Sequence, residues 1–319
     1  MYAAGKTSDP RILVVRLGAM GDILHTLPAV ASLKQSFPGA RITWLVESKW
    51  APLLDGNPSV DRVALLDREA LFASWRVLRR ERYDFAVDFQ GLIKSALAAA
   101  SAKPGRIFGF AETREGPAAW FYANPVSSNA AHVVDRNLDL AESAGAKARV
   151  RSFAIPPGRS EGDLPERDFV LASPLAGWGS KQWPLEHYAE VAARLRRELG
   201  IPLVLNVAPG APLPPVEGAV RHESGLAGLI DATRRAAAVL GVDSGPMHLA
   251  AALGRPGVAI FGPTDPARNG PCGSSIRVLR AEGAVTTYKR GAAIGESMRR
   301  VAPGGVFDAL KTVLGGCLV

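Results

Sequence analysis

The chain has 319 residues, 38 Lys and Arg against 30 Asp and Glu, a net charge of +8 and 47% hydrophobic residues. That length predicts about two domains and a core large enough to fold without disulfides or metal, and two cysteines, Cys272 and Cys317, make neither a disulfide framework nor a zinc site. The charge is spread, with 20 basic and 15 acidic side chains in 1–157 and 18 and 15 in 158–319. No basic tail or aromatic-laced Lys/Arg block is present, so nucleic acid is not an expected partner. A small anionic ligand or an anionic membrane surface fits the excess better. The charge-free run 199–216 holds five prolines and two glycines, which excludes a spanning helix. The first ten residues lack the apolar core of a signal peptide. A cytoplasmic location is the expectation.

Short apolar runs at 11–16, 41–46, 62–66, 84–89 and 106–110 read as strands, with helices between them at 22–36, 68–82 and 91–101. A second series of strands follows at 169–172, 202–207, 237–242 and 257–261, separated by helices at 185–199, 226–235 and 246–254. Such alternation predicts βαβ units on parallel sheets. Two series of similar size predict two Rossmann-like domains, 1–157 and 158–319. The segment 147–167, rich in Pro, Gly and charge, reads as the linker. A last helix at 305–314 either closes the second domain or crosses back to the first.

Three strand-to-helix loops carry the candidate chemistry. LGAMGDILHTLPA, residues 17–29, follows the first strand. Gly18 and Gly21 permit a tight turn, and Asp22 opens the helix as a cap or as a functional carboxylate. Pro28 removes the hydrogen bond to the Leu24 carbonyl, which predicts a bend. The G-x-x-G-D spacing is not the dinucleotide fingerprint, although Glu47 ends the second strand where a ribose-binding acid would sit. GWGSKQWP, residues 177–184, offers loop N–H groups and Lys181 to an anion ahead of a helix, with Pro184 in the first turn. In GVDSGPMHL, residues 241–249, Ser244 and Gly245 can cap, and His248 either reaches a phosphate or is buried and satisfied. The three loops are expected to face one another across a cleft that takes an activated donor and an acceptor. The loop GPTDPARNGPCG, residues 262–273, would wall it. Arg76, Arg79, Arg80 and Arg82 with Leu71, Phe72, Trp75 and Leu78 read as a solvated helix or as a membrane-facing one. No acidic or His/Cys metal motif is present, so no metal is expected.

RLGAMGDILHTLPAV, WLVES, DFQGLIKSAL, SKQWP and VDSGPMHLAAALGRPGVAIFGPTDP together resemble, in order, the motifs of the lipopolysaccharide heptosyltransferases. GDILHTLPA, DFQGLIKSA and AHVVDRN are more similar to heptosyltransferase I than to the second enzyme. The resemblance implies an α/β GT-B fold, with two Rossmann-like parallel-sheet domains facing a central cleft. It implies an acceptor-binding first domain and a nucleotide-sugar-binding second one. The implied reaction is inverting transfer of L-glycero-D-manno-heptose from ADP-heptose to Kdo of lipid A in inner-core synthesis. It implies transient contact with the inner face of the inner membrane, with ADP-heptose as substrate and no cofactor. The alternatives are heptosyltransferase II, a related GT-B transferase or hydrolase using another nucleotide sugar, and a non-enzymatic nucleotide-binding module. By the same resemblance Asp22 is the general base. Gly177, Lys181, Ser224, Asp243, Ser244, Gly245 and His248 hold the donor, and Gly21, Lys94, Arg114 and Arg136 meet the acceptor. A donor-ribose acid is expected after the strand ending near Val207, where APGAPLPPVEGA supplies only Glu217.

Overall fold

The computed structural model of the chain describes residues 9–67 and 71–315. Residues 1–8, Cys317 and the first three residues of the helix expected at 68–82 lie outside the described residues, as do the side chains of Leu71 and Phe72. Two compact units divide the chain, Met1–Pro156 and Pro157–Val319.

The first unit runs β1 (Arg11–Val15), α1 (Met20–Ser36), β2 (Arg41–Glu47), β3 (Arg62–Leu66), α2 (Leu71–Leu78), β4 (Phe85–Asp88), α3 (Ile93–Ser101), β5 (Ile107–Phe110), β6 (Asn124–Val126) and α4 (Val133–Ser143). Its strands are all parallel, in the order β3-β2-β1-β4-β5-β6. The second unit runs β7 (Val170–Ser173), α5 (Leu185–Arg194), β8 (Leu203–Val207), β9 (Val220–Glu223), α6 (Leu226–Arg235), β10 (Ala238–Val242), α7 (Gly245–Ala252), β11 (Gly257–Phe261), α8 (Pro266–Asn269), β12 (Ile276–Arg280), α9 (Glu296–Arg299) and α10 (Pro303–Gly315). Its parallel sheet has the order β12-β11-β10-β7-β8-β9, the same topology with fresh numbering.

Each sheet is built around strands buried on both faces. Their apolar runs are continuous because helices cover both sides: Ile12, Leu13, Val14 and Val15 are wholly buried, as are Ala238, Val242, Val258 and Ile260. All nine strands read from the sequence are present. The three that the sequence reading misses, β6, β9 and β12, are all sheet edges. VRHE and IRVLR are largely solvent-touching, and NPV carries a proline, so none shows a buried apolar run.

Several local expectations are corrected. Asp22 does not open α1; the helix begins at Met20, with Ala19 as its N-cap and Asp22 at the third position. The helix continues unbroken through Pro28 to Ser36. Helix α4, unread in the sequence, packs on α1, where Asn137 Nδ2 donates to the His25 carbonyl at 3.0 Å. Helix α2 stops at Leu78, so Arg79, Arg80 and Arg82 lie beyond it, and Trp75 packs against the core. Pro184 is the N-cap of α5, outside the first turn. The stretch 147–167, read as the linker, contains the boundary between the two units and is docked along much of its length: Lys147 and Val150 N–H groups donate to Ser36 and Ser32 hydroxyls at 2.8 and 2.9 Å, and Glu161 accepts from the Gly225 N–H at 2.7 Å. Helix α10 closes the second unit, burying Val306, Phe307 and Leu310 in the same cluster as Trp183, Tyr188 and Val191.

Candidate active site

In a parallel sheet the crevice forms at the carboxyl ends of the strands where the order reverses. That point lies between β1 and β4 in the first unit and between β7 and β10 in the second. Both places hold a paired carboxylate.

In the first unit, Arg16 follows β1 directly and is only 3% exposed. Its guanidinium donates to the Phe89 carbonyl and lies 2.7 Å from Asp22 Oδ1. Arg114, on the loop after β5, reaches both Asp22 oxygens at 3.3 and 3.2 Å. The N-cap of α1 adds the Ala19 N–H, 3.4 Å from Asp22 Oδ2. Burial alone would push the Asp22 carboxyl up, but Arg16, Arg114 and His25 outweigh it and hold the group below its ordinary value. Asp22 still keeps 23% of its side-chain surface in solvent. The loop that carries it is fixed by Gln90, whose Oε1 accepts from Leu17 N–H at 3.0 Å and Gly18 N–H at 3.4 Å. Gln90 is in turn fixed by Asp88, which is fully buried and accepts from the Gln90 N–H, the Ser95 hydroxyl and the Tyr122 hydroxyl, each at 2.8 Å.

In the second unit, Asp243 follows β10 and is 6% exposed. Its Oδ2 meets Lys181 Nζ at 2.5 Å and accepts from the Thr264 hydroxyl at 2.7 Å. Its Oδ1 lies 3.4 Å from His248 Nε2. Burial opposes ionisation here as well, yet the His248 contacts and the Lys181 charge hold the Asp243 carboxyl far below the usual range. The Lys181 ammonium also sits over the Trp178 ring at 4.3 Å. Trp183 anchors this loop: it is buried, its Nε1 donates to the Val301 carbonyl at 3.0 Å, and its ring meets Tyr188 edge-on at 4.9 Å. Gly179 is required by close approach, since a Cβ there would lie 1.7 Å from the Ala292 carbonyl oxygen.

Comparison with known proteins matches residues 71–295 to the glycosyltransferase family 9 (heptosyltransferase) model. The chain belongs to this family. It is 30% identical to lipopolysaccharide heptosyltransferase 1 of Escherichia coli K12, over 85% of this chain and 93% of that protein. It is also 30% identical to lipopolysaccharide heptosyltransferase 2 of Salmonella typhimurium, over 85% of this chain and 88% of that protein. The solved structure of E. coli heptosyltransferase WaaC with ADP superposes with a TM-score of 0.77 at 25% identity, covering 95% of this chain and 99% of that one. The two Rossmann-like sheets are thus those of a GT-B glycosyltransferase.

Within this glycosyltransferase, the residues expected at the acceptor are only partly gathered. Arg114 joins Asp22, and Gly21 stands in the same first helical turn. Lys94 pairs instead with Glu47 at 3.7 Å, and Arg136 with Glu112 at 3.3 Å and the face of Phe110. Among the donor residues, Lys181, Asp243 and His248 form one cluster. Ser244 is the N-cap of α7, but its buried hydroxyl makes no capping bond, which corrects the reading of that side chain as a cap. Gly245 begins the helix. Gly177 has open space where a side chain would project. Ser224 lies elsewhere, ahead of α6, its hydroxyl donating to Asn206 Oδ1 at 2.8 Å. Glu217 is exposed before β9; the carboxylate that reaches the loop after β8 is Glu223, accepting from the Gly210 N–H at 3.2 Å.

Sequence reasoning passes over Arg16, Gln90 and Thr264. A signal existed for the first: an arginine directly after the apolar run 12–15 enters the interior only if it finds a counter-ion, and Asp22 is one loop away. Thr264 gave none, because its partner is 21 residues earlier.

Proposed function

We propose that this glycosyltransferase is heptosyltransferase I, moving L-glycero-D-manno-heptose from ADP-heptose to Kdo of lipid A with inversion, at the inner face of the inner membrane. The observation that carries the chemistry is Asp22, partly open to solvent and gripped by two arginines at the end of β1. An ionised carboxylate there is a ready but weak base. It takes the acceptor proton as the attacking oxygen becomes acidic in forming its bond to the anomeric carbon. The local charge of the Asp22–Arg16–Arg114 group is positive, which suits an anionic acceptor such as Kdo, and Arg114 is its half-exposed member.

On the donor side, Lys181 and His248, preset by Asp243, stabilise the leaving diphosphate together with the N-terminus of α7. The buried, unbonded Ser244 hydroxyl at that N-terminus supports an anion there. Glu223 takes the ribose role for which the sequence offered only Glu217. Among the described residues no group of three His, Cys, Asp or Glu side chains is placed to bind metal. Transfer is proposed to proceed without metal, so activity should persist in EDTA. No helix among the described residues is long and apolar enough to cross a membrane.

The equal identity to a type 2 relative supports a second reading, transfer to an acceptor already carrying one heptose. Incubation of the chain with ADP-heptose and either Kdo–lipid A or heptosyl-Kdo–lipid A separates the two. Product only from the heptose-free acceptor is expected. Product only from the heptosylated one makes the chain the second enzyme, and donor loss without any acceptor makes it a hydrolase.

A further inference from the structure

Helix α3, Ile93–Ser101, is inside out. A helix on a parallel sheet ordinarily turns its large apolar side chains to the sheet and its polar ones to water. Here the buried face is Ser95, Ala96, Ala98, Ala99 and Ser101. The large side chains Ile93 and Leu97, one turn apart, are 38% and 37% exposed. The cause is the sheet beneath. Asp88 ends β4 with its carboxylate buried, and Ser95 must face inward to bond it. The short 3₁₀ turn Gly116–Phe121 packs beside α3. It sends Ala118 into the core and leaves Trp120 84% exposed.

Basic side chains bracket this apolar surface. Lys94 lies between Ile93 and Leu97 in sequence, and Arg114 adjoins the N-terminal end of the helix, 41% and 55% exposed. At the other end Arg79 Nε donates to the Ser101 carbonyl at 2.9 Å, and exposed Lys103 follows two residues later. The nearby acids are engaged: Glu115 accepts from the Ile93 N–H at 2.7 Å, Glu47 pairs with Lys94, and Glu112 pairs with Arg136.

We propose that α3 and the Gly116–Phe121 turn form the surface by which the first unit sits on an anionic lipid bilayer. Trp120 enters the headgroup layer, Ile93 and Leu97 rest at the acyl boundary, and Lys94, Lys103, Arg79 and Arg114 meet lipid phosphates. Exposed indole and aliphatic side chains beside cations are the composition such an interface selects. Arg76, Arg80 and Arg82 then add long-range attraction only, because Trp75 is turned into the core. Arg114 touches both this surface and Asp22, so a lipid-anchored sugar acceptor would enter the base site from the membrane side; that last step rests on the function proposed above.

Vesicle flotation of the full chain tests the surface without any transfer chemistry. Wild type should bind vesicles of phosphatidylglycerol and phosphatidylethanolamine, bind phosphatidylcholine at least tenfold more weakly, and be released as salt rises. Trp120→Ser and Leu97→Gln, both exposed positions, should each lower binding several-fold and together at least tenfold. Their thermal unfolding, and their turnover of a soluble acyl-free Kdo acceptor, should match wild type. Wild-type binding by the double variant overturns the proposal, as does absence of wild-type binding to anionic vesicles. A concentration-dependent dimer that the double variant abolishes, seen by sedimentation, also overturns it, because the surface then belongs to a second copy. Vesicle binding lost in the variants while no form transfers heptose leaves this surface standing and refutes the proposed function instead.

Discussion

Asp22 and Asp243 stand on opposite sides of the strand-order reversal in their respective sheets, Asp22 beyond β1 and Asp243 beyond β10, the counterpart of β4, and both are held ionised by cations against the cost of burial. They differ in what is left over. Asp243 is 6% exposed, and both its oxygens are committed, one to Lys181 and Thr264 and the other to His248. Such a carboxylate cannot accept a substrate proton; it can only fix the cation and the ring beside it. Asp22 is 23% exposed, and its second arginine is half in water and free to move with a ligand. On the function proposed above, the same ion-pairing chemistry serves for positioning in one unit and for proton transfer in the other, and exposure is the feature that separates them.

The largest test of that contrast is Asp22→Asn. Turnover should fall by about 10²–10⁴ in single-turnover assays. The variant should also lose about 1–3 kcal/mol of stability, since Arg16 is buried and keeps its charge while its partner becomes neutral; urea denaturation measures this. Unchanged turnover would reduce Asp22 to a counter-ion for Arg16 and erase the distinction between the two sites.

Lys181→Ala comes next. If the ammonium pairs with a desolvated phosphate, ADP binding should weaken by about 2–4 kcal/mol in calorimetry. Asp243→Asn should weaken it by about 1–2 kcal/mol, because Lys181 and His248 remain but lose their anchor. Equal ADP affinity in all three proteins would make the cluster a folding device.

Acid sharpens the comparison further. Both carboxyls have native pKa values lowered from 3.8. Their stabilisation is therefore complete above the unfolded value and is lost as pH falls through the lower native one. The stability gap between wild type and Asp243→Asn should shrink as pH falls below about pH 4, as read from urea midpoints. A gap that widens in acid would reverse the sign assigned here.

The smallest effects come from two glycines of one loop. Gly179→Ala must displace the Ala292 carbonyl and should cost about 1–3 kcal/mol of stability with a raised donor KM. Gly177→Ala meets nothing within 4 Å and should leave stability within about 0.5 kcal/mol. A loss of ADP affinity in Gly177→Ala alone would then report ligand contact at that position.

What the sequence determined by itself was whatever depends on near neighbours. Runs such as ILVV and AVLGV announce strands buried on both faces, and the glycine and proline punctuation after them marks the ligand-side loops. Asp22, Lys181 and Asp243 were visible because each stands in such a loop or in the first helical turn after it. Three of the four edge strands escaped, since β9 and β12 lack a doubly buried pattern and β6 carries a proline; α4, which packs on α1 and β5, was passed over although VVDRNLDLAES is amphipathic. Tertiary structure alone decided the partners: Arg114 reaches Asp22 across 92 residues, Lys181 reaches Asp243 across 62, and Gln90 reaches the Leu17 N–H across 73. It also decided which side of α3 faces water. IKSALAAAS reads as an ordinary core helix until Asp88, buried beneath it, claims the hydroxyl of Ser95 and turns Ile93 and Leu97 outward.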